Sequence, residues 1–268
     1  MSPLIKTVFW LLYLVGYMTF AMFLLAVIGW HRKRGNHERA TEMVNYWVPR
    51  WAADLLRATG SEVTVTGLQN LPDGGFMMMG NHQSFFDIPA LLLALGRPYG
   101  FIAKSSLDRI PALGHWMREI GCVSICREDP RGAMAMLLDQ CVDRLQQGGI
   151  LCIFPEGTRS GGGEVKPFKK GGFVTAINAG APIVPVAIEG TYHLWEEHHA
   201  ICAGQIRVSI LPTIYPDRLS DEQREMLPLR LRKEIAAERE RLVAELARQN
   251  EEQHKGGWAD PDPGTAVG

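Results

Sequence analysis

His82 and Asp87 are the residues whose types and spacing best suit chemistry, because an imidazole oriented by a carboxylate is a directed general base. On a helix they would lie roughly 140° apart, so they meet only if the chain between them turns. Pro89 predicts a helix that begins with Asp87 at or near its N-cap, where a carboxylate is favoured. The alternative is an ordinary loop histidine beside a capping aspartate, and this stretch alone does not separate the two.

A second segment that suits chemistry is FPEGTRS, residues 154–160, which follows a buried strand-like run. Its Pro, Gly and Thr residues favour an open loop, and ligands of α/β sheets bind beyond the carboxyl ends of strands. Arg159 offers a planar fork that suits phosphate or carboxylate. Glu156 either accepts a hydrogen bond from a substrate hydroxyl or pairs with Arg159. Taken alone, the loop is also explained as a turn with a local ion pair.

Two more cations follow strand-like runs in the same way, Lys104 after residues 101–103 and Arg127 after residues 123–126. If the strands are parallel, these cations share one sheet edge with His82 and Arg159. Each cation alone is typical of a solvated surface. Together, cations beside a His–Asp pair predict a site for an anionic substrate that carries a group to be deprotonated.

The elements that must position these groups alternate between strand-like and helix-like runs from Glu62 to about residue 215. The pattern predicts an α/β domain with a mixed, largely parallel central sheet flanked by helices. The predicted strands are 63–66, 76–79, 100–103, 122–125, 150–154, 183–188 and 207–210, and the predicted helices are 89–95, 131–147 and 171–178. Continuous apolar strands fit a sheet covered on both faces.

The N-terminal segment is uncharged from Thr7 to Trp30, which as a helix spans about 35 Å, enough to cross a bilayer core. Residues 31–34 add three Lys/Arg side chains, whereas only Lys6 precedes the segment, so the following domain is predicted to face the cytoplasm. An interfacial or re-entrant helix is the alternative. Residues 36–59 form a predicted amphipathic helix, which either lies in the headgroup region of a membrane and completes a membrane-anchoring helical pair or packs on the soluble domain.

Domain boundaries follow from these changes in composition. We predict membrane-anchoring helices over 1–58, a catalytic α/β domain over 59–216, a charged amphipathic helix over 217–254 and a disordered tail over 255–268. The net charge of −1 gives no indication of nucleic-acid binding. The five cysteines lack CxxC spacing, which favours buried reduced thiols over disulfides or zinc. The His and Glu residues of 193–199 lack metal-binding helix spacing, so no metal is expected.

Four blocks, in order and at consistent spacing, make the sequence resemble the glycerolipid acyltransferases, most closely the bacterial membrane-bound 1-acyl-glycerol-3-phosphate acyltransferases. Residues 81–87 are similar to their NHxSxxD box, and residues 154–160 look like their FPEGTRS block. The spaced residues of 104–127 follow their second block, and residues 184–188 resemble the fourth, which is centred on proline. The resemblance covers about residues 60–215.

The resemblance implies transfer of a fatty acyl group from acyl-CoA or acyl-carrier protein to the free 2-hydroxyl of 1-acyl-glycerol-3-phosphate, giving phosphatidic acid, without a cofactor. It makes His82 the base and Asp87 its orienting partner. It implies a substrate-binding set in which cations hold the acceptor phosphate and two further residues line the acceptor pocket: Lys104, Arg127 and Arg159, with Glu156 and Gly157. Backbone N–H groups near the loop would stabilise the oxyanion.

The same resemblance implies an inner-membrane protein whose catalytic domain faces the cytoplasm and whose acceptor is a membrane lipid. Cys126 departs from the pattern, since many members carry Asp before the Arg, and this bears on acceptor specificity. The alternatives are a different lyso-lipid acceptor, a catalytically inactive lipid-binding protein and a hydrolase in which water replaces the lipid hydroxyl. Acyl-chain length and the choice between CoA and carrier protein do not follow from the sequence.

Overall fold

The structure, a computed structural model, describes residues 3–125 and 132–256, which form seven strands and seven α-helices. The strands are β1 (Glu62–Thr66), β2 (Phe76–Gly80), β3 (Gly100–Lys104), β4 (Val123–Ile125), β5 (Ile150–Ile153), β6 (Ile183–Glu189) and β7 (Gln205–Ile210). The helices are α1 (Pro3–Lys33), α2 (His37–Thr59), α3 (Asp87–Leu95), α4 (Pro111–Glu119), α5 (Gly132–Gln146), α6 (Gly171–Ala179) and α7 (Asp221–Gly256). Every predicted strand is present, and the α/β class is confirmed.

The strands form one sheet in the order β1-β7-β6-β2-β5-β3-β4. Neighbours from β6 through β2, β5 and β3 to β4 are parallel, whereas β7 is antiparallel to β6 and parallel to β1. The prediction of a mixed, largely parallel sheet is therefore confirmed. The carboxyl ends of β2, β3 and β5 lie at one edge, so the chain segments that begin with Asn81, Ser105 and Phe154 leave the sheet on the same side.

The core lies on both faces of this sheet, as β2 illustrates. Alternate residues of a strand point to opposite faces. Phe76 and Met78 are fully buried in a cluster that includes residues of α1, α2, α3 and α4. Met77 and Met79 are fully buried in a second cluster with residues of α5, α6 and α7. Two covered faces explain why the strand sequences are apolar throughout rather than alternating.

The N-terminal helices form a hairpin whose short turn at residues 34–36 leads from α1 into α2. Within the described residues, the segment Leu4–Lys33 of α1 is the one helix long and apolar enough to cross a membrane. Only 17% of its most apolar window is buried inside the protein, so most of its apolar side chains face outward. The other helix, α2, packs on α1 and α3 and ends at Thr59, beside the predicted boundary at residue 58.

Helix α4 was not predicted, although Pro111 at its first position and apolar Leu113, Trp116 and Met117 were the available signals. Helix α7 begins at Asp221, four residues after the predicted start at residue 217. A capping box marks this start: Gln223 N–H donates to Ser220 Oγ at 3.2 Å, and Ser220 N–H donates to Gln223 Oε1 at 2.9 Å. The predicted disordered tail lies, from residue 257 onward, outside the described residues.

Candidate active site

His82 and Asp87 meet in the loop between β2 and α3. Asp87 is the first residue of α3, and its Oδ2 lies 2.6 Å from His82 Nδ1. With the hydrogen of the neutral imidazole on Nδ1, Nε2 is left as the nitrogen that can take up a proton. The imidazole also stacks on Phe154, the first residue of FPEGTRS, with ring centroids 4.0 Å apart. This contact fixes the plane of the imidazole ring. The pair therefore has the geometry of an oriented general base.

Asp87 is fully buried and is held by hydrogen bonds to both oxygens of its carboxylate. Oδ2 accepts from the N–H groups of Gln83 at 2.7 Å and Ser84 at 3.0 Å, in addition to its contact with His82. Oδ1 accepts from the hydroxyl of Thr191 at 2.5 Å. Because both oxygens accept hydrogen bonds, the carboxylate cannot rotate away from the imidazole without losing several of them.

The backbone N–H groups of the loop, from His82 to Phe86, all form hydrogen bonds within the protein. The five consecutive N–H groups donate, in chain order, to the side chains of Glu156, Asp87, Asp87, Glu196 and Ser84. In this conformation these N–H groups are not free to bind an oxyanion. The expected backbone donors for the oxyanion are therefore not those of residues 82–86.

The FPEGTRS loop is hydrogen-bonded directly to the histidine loop. Ser160 N–H donates to His82 O at 2.7 Å, and Gly161 N–H donates to Gln83 O at 3.2 Å. Glu156 is buried, and its two oxygens accept from the N–H groups of His82 at 2.7 Å and Lys166 at 3.0 Å. Burial raises the pKa of Glu156, and these two donors offset part of that rise. Glu156 thus fixes two backbone segments rather than pairing with Arg159.

Arg159 pairs instead with Glu196, whose Oε1 accepts from Arg159 Nη1 at 3.1 Å. The guanidinium also lies over the ring of Phe85, 3.4 Å from its centroid. Glu196 accepts as well from Ser84 Oγ at 2.6 Å and from the N–H of Phe85 at 3.1 Å. About a third of the Arg159 side chain is exposed, so the fork is held close to the histidine loop yet remains accessible to an anion.

An apolar cavity of about 520 Å³ lies beside the histidine loop, between α1, α2, α3 and α4. Phe85 and Phe86 of the loop itself are part of its wall. Trp10 of α1 contacts Phe86 with ring centroids 5.9 Å apart. Aromatic side chains from several elements line the remainder: Tyr17, Trp47, Trp51, Phe101, Trp116 and Trp195. The volume and apolar lining suit a long hydrocarbon chain.

The four described cysteines are free, and two of them are fully buried in the core. Burial raises the pKa of Cys141 to about 11 and the pKa of Cys122 to about 12. A thiol with a raised pKa carries almost no thiolate at neutral pH, so neither residue is an activated nucleophile.

Comparisons with known proteins identify the family of this chain. Residues 62–189 match the family model described as Acyltransferase. The 1-acyl-sn-glycerol-3-phosphate acyltransferase of Pseudomonas aeruginosa is 30% identical over 176 residues, which are 65% of this chain and 68% of that protein. The chain belongs to the 1-acyl-sn-glycerol-3-phosphate acyltransferase family.

Two further members of this family are similar to different extents of the chain. The crystal structure of the 1-acyl-sn-glycerophosphate acyltransferase PlsC of Thermotoga maritima is 29% identical, with a TM-score of 0.78, and the match covers 90% of this chain and 95% of that one. A chloroplastic 1-acyl-sn-glycerol-3-phosphate acyltransferase of Brassica napus is 40% identical over 167 residues, 60% of this chain. The chain spans about half the length of that plant relative, 48%.

Two cations predicted for this site, Lys104 and Arg127, lie partly or wholly outside the described residues. Lys104 is the last residue of β3, in register with Ile125 of β4, at the same sheet edge as His82. Its side chain lies outside the described part of the structure. Arg127 and Cys126 also lie outside the described residues. Their roles in acceptor binding therefore stay predictions, as do those of Glu156, Gly157 and Arg159.

Gly157 occupies a position in the FPEGTRS loop that only glycine fits without strain. Its φ is +69°, in the left-handed region. A Cβ there would lie 2.7 Å from Lys169 Nζ, so the loop passes directly under this lysine. Lys166 also reaches back, since its Nζ donates to Arg159 O at 3.0 Å. The basic segment after the glycine run thus lies against the FPEGTRS loop.

Three residues that hold the site together were not identified from the sequence. Thr191 binds Asp87, Glu196 binds Arg159, and Glu189 accepts from Gln83 Nε2 at 2.8 Å. The two that come after the matched family region, Thr191 and Glu196, have no motif that marks them. Glu189 carried one signal, a carboxylate at the end of the continuous apolar run of β6. A charge in such a place requires a buried partner.

Proposed function

We propose that this protein transfers a fatty acyl group from an acyl thioester to the free 2-hydroxyl of 1-acyl-glycerol-3-phosphate, giving phosphatidic acid. The observation that carries the proposal is the His82–Asp87 contact of 2.6 Å, in a loop that also walls the apolar cavity. A proton acceptor thus lies beside a space for acyl chains, and Arg159 lies beside both. The relatives' names supply the acceptor, and the geometry supports an acceptor that combines an anion, a hydroxyl and a hydrocarbon chain.

The proposed reaction has two steps. Arg159, joined by Lys104 and Arg127 as the family resemblance implies, holds the acceptor phosphate, so that the hydroxyl lies against His82 Nε2. His82 takes the hydroxyl proton while the oxygen attacks the thioester carbonyl, and Asp87 stabilises the imidazolium that forms. The tetrahedral intermediate then expels the thiolate, which receives the proton from His82. The base is regenerated, and no acyl-enzyme forms.

The cavity is the proposed site for the acyl chain. It is enclosed by the two N-terminal helices together with α3 and α4, so the helices predicted to anchor the protein also shape the site. A lipid substrate could then enter from the bilayer without exposing its chain to water. We further propose that the catalytic domain faces the cytoplasm, where acyl-CoA and acyl-carrier protein occur, in accord with the basic residues of 31–34.

Purified protein in vesicles, supplied with labelled acyl-CoA or acyl-carrier protein, tests the proposal against a panel of lyso-lipid acceptors. We expect 1-acyl-glycerol-3-phosphate to be preferred over acceptors with a neutral or zwitterionic headgroup. Preference for a neutral headgroup would overturn the choice of acceptor. Release of free fatty acid without lipid product would indicate a hydrolase instead.

His82→Ala tests the mechanism in the same assay. Turnover should fall by about a hundredfold or more, because general-base catalysis contributes typically that much. The matched control is His115→Ala, which removes an exposed histidine of α4 that contacts Pro111 O. Both variants should keep wild-type circular dichroism and vesicle binding. Unchanged turnover in His82→Ala would refute the proposed base.

A further inference from the structure

Arg239 of α7, outside the region that matches the family model, contacts both the end of β6 and the glycines after FPEGTRS. Its Nε donates to Glu189 Oε2 at 2.6 Å. Its Nη1 donates to Gly163 O and its Nη2 to Gly162 O, each at 2.6 Å. The Arg239 side chain is 14% exposed and that of Glu189 is 3% exposed. One guanidinium therefore joins a buried carboxylate to the segment that follows FPEGTRS.

Glu189 passes this contact to the histidine loop through Gln83. Gln83 Nε2 donates to the same Oε2 of Glu189 at 2.8 Å. The N–H of Gln83 donates to Asp87 Oδ2, and its carbonyl accepts from Gly161 N–H. Gln83 is fully buried, so it is shielded from water that could replace a lost partner. A path of four residues thus leads from α7 to the carboxylate that orients His82.

The glycine segment, residues 161–163, is held by Arg239 through its backbone carbonyl groups. Gly162 has a φ of +89°, and a Cβ there would lie 2.5 Å from the ring of Tyr192. The segment is thus pressed against Tyr192 with two successive carbonyls turned toward α7. A guanidinium can bind both carbonyls and a carboxylate at once, whereas the ammonium of lysine lacks that fork. The carbonyls of Gly162 and Gly163 would lose this shared donor if Arg239 were removed.

We propose that Arg239 is a positioning residue for acyl transfer: α7 holds the two active-site loops in register through it, without contact with substrate. The inference rests on the proposed function for its kinetic readout. Loss of Arg239 leaves the Glu189 carboxylate buried and uncompensated, which is strongly unfavourable. Water can reach the carboxylate if Gln83 and the glycine segment move apart, and this movement displaces Asp87 because Gln83 N–H donates to Asp87 Oδ2.

The test compares Arg239→Met, Arg239→Lys and the double variant Glu189→Gln/Arg239→Met in vesicles. We expect Arg239→Met to lower kcat about tenfold while the KM for acyl-CoA changes less than about twofold. The double variant should recover much of the loss, because the amide that replaces the Glu189 carboxylate carries no charge and still accepts from Gln83. Arg239→Lys should lie between, since it compensates the charge but not both carbonyls. Arg241→Met, which removes an exposed arginine paired with Glu238 and Glu245, is the matched control and should keep kcat.

Hydrogen exchange of the same proteins provides a readout that does not depend on turnover. Arg239→Met should speed exchange at the Ser160 and Gly161 amides, which bond to the histidine loop, relative to wild type and Arg241→Met. Equal kcat and equal exchange in Arg239→Met and wild type would overturn the proposal, as would a double variant no better than Arg239→Met. Wild-type protein without acyl transfer to any lyso-lipid would instead overturn the proposed function, while the exchange comparison would still decide the role of Arg239.

Discussion

The hydroxyl of Thr191 fixes the carboxylate of Asp87, although the two residues are far apart in the sequence. It donates to Asp87 Oδ1, 104 positions earlier in the chain, and both residues are fully buried. Its hydrogen bond leaves Oδ2 to the imidazole and the two loop amides. Without it, the carboxylate would keep its charge but lose the donor that fixes its second oxygen.

Thr191→Val should therefore lower kcat about tenfold or more, because a hydrogen bond to a charged group contributes about 1.5–3 kcal/mol. Thr191→Ser keeps the hydroxyl and is the matched control, with kcat expected near that of wild type. Steady-state kinetics at saturating acceptor separate the two variants. Equal loss in both would mean that the methyl group, not the hydroxyl, matters.

Glu156 predicts a pH dependence of stability with a definite sign. Burial raises its pKa, so the folded state binds this proton more tightly than the unfolded chain. Its contribution to the free energy of unfolding is full below the ordinary Glu pKa of about 4.3 and declines as pH rises through the raised folded value. The unfolding free energy of wild type minus that of Glu156→Gln should thus fall as pH rises through that window. Urea titrations in detergent at several pH values measure it, and a difference that grows with pH would mean a lowered pKa.

Helix α4 forms one wall of the proposed acyl-chain site, because Leu113, Trp116 and Met117 all line the cavity. Its glycine, Gly114, lies close to the preceding turn, since a Cβ there would clash with the carbonyl oxygen of Asp108. The helix is therefore fixed tightly against its own entry segment. A wall held in this way cannot retreat from a bulkier side chain, so the cavity must take up the change.

Leu113→Trp should shift donor preference toward shorter chains, raising the ratio of kcat/KM for lauroyl-CoA to that for palmitoyl-CoA several-fold. Overfilling also costs about 1–3 kcal/mol of stability, so a thermal melt accompanies the assay. Leu113→Met conserves volume and serves as the matched control. A chain-length preference that is identical in all three proteins would mean that acyl chains bind elsewhere.

At the scale of the whole molecule, the long apolar helix α1 packs against the α/β domain. The helix α1 shares one buried core cluster with α2 and the sheet, through residues such as Ile28, Ala40 and Phe76. Its outward side chains include Phe9, Leu12 and Phe23, each more than 60% exposed. The same helix thus contributes one face to the cavity and another to its surroundings.

Substituting Phe9, Leu12 and Phe23 together by Ser should lower the fraction of protein that floats with phospholipid vesicles about tenfold. Each apolar side chain loses about 1.5–3 kcal/mol of favourable transfer from water. The matched control substitutes three exposed apolar residues of α7 by Ser, namely Met226, Leu229 and Val243. That control should float like wild type. Flotation lost equally in both would mean that α1 does not dominate membrane binding.

The positions of the strands and the turn between His82 and Asp87 were accessible from local patterns. Strands that are buried on both faces are apolar without a break, and the turn between β2 and α3 is marked by Pro89 within seven residues of His82. The two N-terminal helices were equally predictable, α1 from the length of its apolar run and α2 from the helical spacing of its apolar residues. The order of the strands and the antiparallel pairing of β7 were not, since a strand sequence carries neither its neighbours nor its direction.

The sequence alone determined the α/β class, through the alternation of strand-like and helix-like runs. It also located the His82–Asp87 pair and the loop that carries Arg159, because each of these depends on residues within a few positions of one another. Only the tertiary structure decided what surrounds them. Thr191, Glu196 and Arg239 reach the site through contacts between residues 37 to 112 positions apart, and no periodicity encodes such contacts. The cavity is likewise a space that several helices leave between them. Local order follows from local chemistry, whereas a buried hydrogen-bond network and an internal volume exist only once distant segments have packed together.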